Sequence, residues 1–134
     1  MNKKFWLGFA AYVVPTFPLG YVWHLVLFAP QYHALQIYRP DVIIPLGLLS
    51  MLIQGALLSW LFPKIAGDDI GASWFWQGLK FGLSVGLFAW TLTALAVAAK
   101  HVMTSVPLFL ALETGFTIVQ YVIVGPLMAL AHRR

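Results

Sequence analysis

The chain contains no cysteine. Disulfides, thiolate metal sites and thiol catalysis are thereby excluded, and the redox compartment is left open. Charge is also scarce: 9% of the 134 residues are Asp, Glu, Lys or Arg, against about 25% in an ordinary soluble domain. Only four of them are acidic. The eight Lys and Arg give a formal net charge of +4, yet they sit at the ends of apolar runs and form no basic face, so nucleic acid is not an expected partner. No repeat period or linker divides the chain, and 1–134 reads as a single domain.

What fills the sequence instead is apolar: 61% of the residues are hydrophobic. A bilayer accommodates that excess at about 20 apolar residues per spanning helix, which leaves room for about four spans with short loops. The expected fold is an all-α membrane protein, a four-helix transmembrane bundle whose partner is the lipid bilayer. Its spans fall at about 5–29, 42–62, 74–99 and 108–130.

Met1-Asn2-Lys3-Lys4 before an apolar run resembles the start of a signal peptide, but the run exceeds the usual h-region of about 7–15 residues and lacks a small-residue cleavage site. It reads as an uncleaved first span, kinked by Pro15 and Pro18. A polar loop is expected over 30–41, with Tyr32 and Tyr38 at the headgroup interface. Pro63, Lys64, Gly67, Asp68, Asp69 and Gly71 read as a turn, and 100–107 as the last connection. Trp60, Trp74 and Trp76 suit interfacial belts, and His132 beside Arg133 and Arg134 suits a solvated basic tail.

Lys3, Lys4, Lys64, Arg133 and Arg134 fall on one side of the spans, and Arg39 and Lys100 on the other. Five against two predicts both termini in the cytoplasm, because short cytoplasmic loops are enriched in Lys and Arg. Lys80 lies close enough to that side to snorkel. Gly78, Gly82 and Gly86 line one face of the third helix, where another backbone can approach closely. That face serves either packing within the chain or a seam between two copies.

Ionisable groups inside a span are costly and call for a partner or a function. Glu113 is the foremost, sharing a helix face with Thr117 and Gln120. Thr16, Gly20 and His24 form a matching stripe on the first helix, and Ser50 and Gln54 lie on the second. The expected topology brings His24, His33, Lys100, His101 and Glu113 to one leaflet. Three readings stay open. Glu113 pairs structurally with Lys100 or His24; His24, His101 and Glu113 hold a metal or haem; or a small molecule or proton occupies a site built from His24, Gln54, Lys100, His101, Glu113 and Gln120. No H-x-x-H or H-E-x-x-H spacing supports the metal, and no catalytic residue or cofactor is indicated.

Gly20-Tyr21-Val22-Trp23-His24, Gln54-Gly55, Ala99-Lys100-His101, Leu112-Glu113 and Gly125-Pro126 together resemble a group of small bacterial inner-membrane proteins of four helices and unassigned function. The resemblance implies fold and location, and no activity. The leading expectation is a membrane protein that binds a small ligand or serves as an accessory subunit of a larger membrane complex. A small metal- or haem-dependent membrane enzyme is the alternative. A channel or transporter is the second, and it would require a homo-oligomer.

Overall fold

The computed structural model describes residues 2–67 and 70–133, so Met1, Asp68, Asp69 and Arg134, with the turn and terminal readings that involve them, lie outside the described residues. Among the described residues the structure is all helix and connection, with no strand. Four helical segments are long and apolar enough to cross a membrane: Lys3–Leu27, Ile44–Ala66, Trp74–Lys100 and Val106–His132. The first consists of α1 (Lys3–Val22) and a π-helical turn (Trp23–Leu27). A short helix α2 (Ala29–Leu35) follows, then α3 (Ile44–Ala66). The third segment is α4 (Trp74–Trp90), a second π-helical turn (Thr91–Leu95) and α5 (Ala96–Lys100), and the fourth is α6 (Val106–His132).

Local chemistry sets the helix ends. The Asn2 side chain accepts from the Phe5 amide at 3.0 Å and Ser105 Oγ from the Leu108 amide at 3.2 Å, so two N-termini are capped. Pro107 stands in the first turn of α6, where its missing N–H costs nothing. Gly67, with φ of 81°, ends α3 in a backbone that favours glycine.

Pro63 does not start a turn as its sequence context suggests; α3 runs through it to Ala66. Proline at this position deprives the Ser59 carbonyl of its helical donor. His132 Nε2 supplies one at 3.2 Å, and its Nδ1 lies 3.0 Å from the Met128 carbonyl. His132 is therefore buried between helices, not part of a solvated tail. Ser59 Oγ donates to the Phe5 carbonyl at 2.7 Å and Lys4 Nζ to the His132 carbonyl at 3.2 Å, which ties α1, α3 and α6 together at the end that holds both termini.

The glycine face of α4 meets α6 within the chain. A Cβ at Gly78 would stand 2.5 Å from the Gly125 carbonyl oxygen, and one at Gly82 2.5 Å from the Tyr121 carbonyl oxygen and 2.8 Å from Gly125 Cα. Only glycine permits so close an approach. α6 also packs along α1, and α1 along α3. The helices thus follow one another in space as α3, α1, α6, α4. α3 and α4 meet chiefly where Phe62 packs edge-on against Phe81, with ring centroids 4.8 Å apart. Toward the opposite end a groove separates them.

The expected loop over 30–41 is partly ordered as α2, with Pro30 in its first turn and Gln36, at φ of 60°, stopping it. Tyr32 and Leu35 share one face and are buried against Phe109 and Leu112. Thr104 fastens α2 through its hydroxyl to the Ala34 carbonyl at 2.7 Å and its amide to the Leu35 carbonyl at 3.2 Å. Tyr32 lies under this cap instead of at a lipid interface.

A polar-floored groove and the Tyr32–Glu113–His24 triad

The first span and α6 each turn one face toward the other, and both faces carry polar side chains at helical spacing: Tyr12 and Thr16 on α1 with His24 in the π-helical turn that follows, and Glu113, Thr117 and Gln120 on α6. Gln120 Nε2 donates to Tyr12 Oη and Thr16 Oγ1, each at 3.3 Å, and Tyr12 donates to Gln54 Oε1 of α3. Thr117 Oγ1 donates back to the Glu113 carbonyl at 2.8 Å. These bonds make a polar floor beneath the groove between α3 and α4, which encloses about 410 Å³. Its walls are Met51, Leu57 and Leu58 on one side and Val85, Phe88 and Leu92 on the other.

Glu113 stands at one end of that floor, 8% exposed. Tyr32 Oη donates to its Oε1 at 2.6 Å, and His24 Nε2 lies 3.1 Å from the same oxygen. The His24 ring is held within the π-helical turn Trp23–Leu27, and its Nδ1 lies 2.9 Å from the Gly20 carbonyl. Such turns add a residue to the helical repeat and redirect side chains, which is why they gather at functional sites. Both contacts of His24 are satisfied by imidazolium against carboxylate, and equally by neutral imidazole accepting from a carboxylic acid.

Both contacts to Glu113 fall on Oε1, so Oε2 has no protein partner among the described residues. Gln120 Oε1 and Gln54 Nε2 are likewise without one there. On the other side of the triad, His24 and Tyr32 line a second cavity of about 380 Å³ with His33, Tyr38 and Arg39 at the end away from the termini. Tyr38 stacks on Tyr32 with centroids 5.2 Å apart and planes 5° apart. Burial first, and then the hydrogen bond and charge of Glu113, push the Tyr32 phenol well above its ordinary value. Burial and the Glu113 charge do the same to Tyr38.

Of the residues singled out in the sequence, His24, Glu113, Gln54 and Gln120 thus belong to one continuous site. Lys100 and His101 do not: both are exposed, and His101 Nδ1 sits 3.2 Å from the carbonyl of Val97 one turn back. Sharing a leaflet does not fix where a side chain points: α5 ends at Lys100, and His101 stands past it in extended backbone. The metal set His24, His101 and Glu113 is consequently not assembled, and no three His, Asp or Glu side chains converge among the described residues. His33 lines the end cavity without reaching Glu113. Tyr32 is the residue that sequence reasoning missed, because no local pattern marks a residue eight positions past His24 as its neighbour. Comparison with protein-family models, curated proteins and solved structures finds no match for this chain.

Proposed function

We propose that the chain is a multi-pass protein of a bacterial cytoplasmic membrane, and that it binds a small amphiphilic molecule drawn sideways from the bilayer into the groove between α3 and α4. The observation that carries this reading is the groove itself. Its walls are apolar, as a lipid-facing entrance requires, while Tyr12, Gln54, Glu113 and Gln120 form a floor no hydrocarbon alone would call for. Four membrane-length helices support the membrane setting, and the bacterial one rests on the resemblance of the motifs around His24 and Glu113. Both termini are placed in the cytoplasm by the excess of Lys and Arg at their end, and reporter fusions after Arg134 test it: alkaline phosphatase activity there would reverse the orientation.

Ala89 lies on the groove wall and is not hydrogen-bonded to the floor, so Ala89→Trp fills the groove and spares the triad. Native mass spectrometry of chain purified in mild detergent is expected to show a retained small molecule on the unaltered protein and its loss in Ala89→Trp. Equal retention by both, or a second copy released by the substitution, would count against an amphiphile in the groove.

A further inference from the structure

We infer that the molecule held in the groove carries a hydrogen-bond-donating head, a hydroxyl or an ammonium, and that it docks this head on Glu113 Oε2; this rests on the groove reading above. Most of the floor's donors are spent internally. Tyr32 and His24 turn toward Glu113 Oε1, Tyr12 toward Gln54, Gln120 Nε2 toward Tyr12 and Thr16, and Thr117 toward its own helix.

Along α6 the groove is met by the Tyr121 phenol, beside Tyr12, and by a pair of acceptors without a protein donor among the described residues, Glu113 Oε2 and Gln120 Oε1, on residues that are 8% and 6% exposed. Both atoms are open to the groove, and an acceptor that faces apolar walls without a donor carries a cost, greater for a charged group. A ligand that brings a donor relieves that cost, whereas a carboxylate or phosphate head would set acceptor against acceptor and charge against charge. Gln54 Nε2, across the floor on α3, can return a bond to a ligand oxygen. The two heads differ there, since a hydroxyl accepts such a bond and an ammonium cannot. The tail then lies between Leu57, Leu58, Phe88 and Leu92, along the way the groove opens.

The test uses the intact chain in phosphatidylcholine nanodiscs with a hexadecanol carrying a photoactivatable diazirine in its tail. Hexadecanol, hexadecylamine and palmitate serve as competitors. Saturable labelling within 50–58 and 85–93 is expected, with palmitate competing at least tenfold more weakly than the better of the other two. Glu113→Gln turns the open acceptor into an amide N–H, and should weaken the ammonium by about a hundredfold and the alcohol by about tenfold. The relative loss identifies which head the site is built for. Should Glu113→Gln fail to fold, the order of the three heads on the unaltered chain still decides. Palmitate competing as well as hexadecanol would overturn the donor-head inference and leave the groove standing. No saturable labelling, or labelling indifferent to Ala89→Trp, would overturn the groove.

Discussion

Tyr32 joins the cap to the site through a single hydroxyl donated to Glu113 at 2.6 Å. An unfolded chain ionises its tyrosines near pH 10, but buried Tyr32 keeps its proton beyond that. Above about pH 10 the folded chain therefore binds more protons than the unfolded one, and its stability falls as pH rises. Tyr32→Phe should lose about 1.5–3 kcal/mol at neutral pH, the worth of a hydrogen bond to a charged group, and should show a shallower decline at alkaline pH. Thermal unfolding in detergent over a pH series measures both, and an unaltered alkaline slope would contradict the burial of this phenol. His132 offers a second test at this scale. Its removal strands the Ser59 carbonyl that Pro63 has left without a donor. His132→Leu is expected to cost about 1–3 kcal/mol. In a Pro63→Ala background, where the backbone amide returns, the same substitution should cost distinctly less, and a double-mutant cycle reads the difference.

Among the elements, α4 and α6 form the closest pair, and glycine sets their separation. Gly82→Leu would drive a side chain into the backbone of Tyr121 and Gly125, and about 1–3 kcal/mol of destabilisation or more is expected. Gly47, near the start of α3, has nothing within 4 Å of its absent Cβ. Gly47→Ala should be neutral or stabilising by about 0.5–1 kcal/mol, and melting curves of the two variants side by side check the contrast. The glycine face was legible in the sequence because its spacing stays within one uninterrupted α-helical stretch. So were the four apolar segments, which depend on local composition, and the facing of Glu113 toward His24, because ionisable groups seldom enter a span without a partner. Lys100 and His101 were grouped with Glu113 by leaflet alone, and a shared leaflet does not fix direction: α5 ends at Lys100 with both side chains exposed. Pro63 read as a turn because the donor that lets the helix continue comes from a residue 69 positions away. Helix α2 depends on contacts with Phe109 and Leu112 that no window of sequence around it contains.

Across the whole molecule burial is uneven. In the most apolar stretch of α6 44% of residues are buried, against 11% in that of α3, so α6 is the helix around which α1 and α4 assemble. It is also the last of the four to be synthesised. While the ribosome works through the first three spans, the first already carries Thr16 and His24 into the bilayer with neither Gln120 nor Glu113 to meet them, and the glycines of α4 have no neighbour. The three early spans must wait, apolar enough to stay inserted but without the helix that orders them. A chain stopped after residue 104 is therefore expected to insert and then to be cleared by membrane proteases much faster than the full chain in a pulse-chase experiment. Supplying residues 105–134 as a separate polypeptide should lengthen its lifetime. A three-span fragment as long-lived as the whole would mean that assembly does not depend on the arrival of α6.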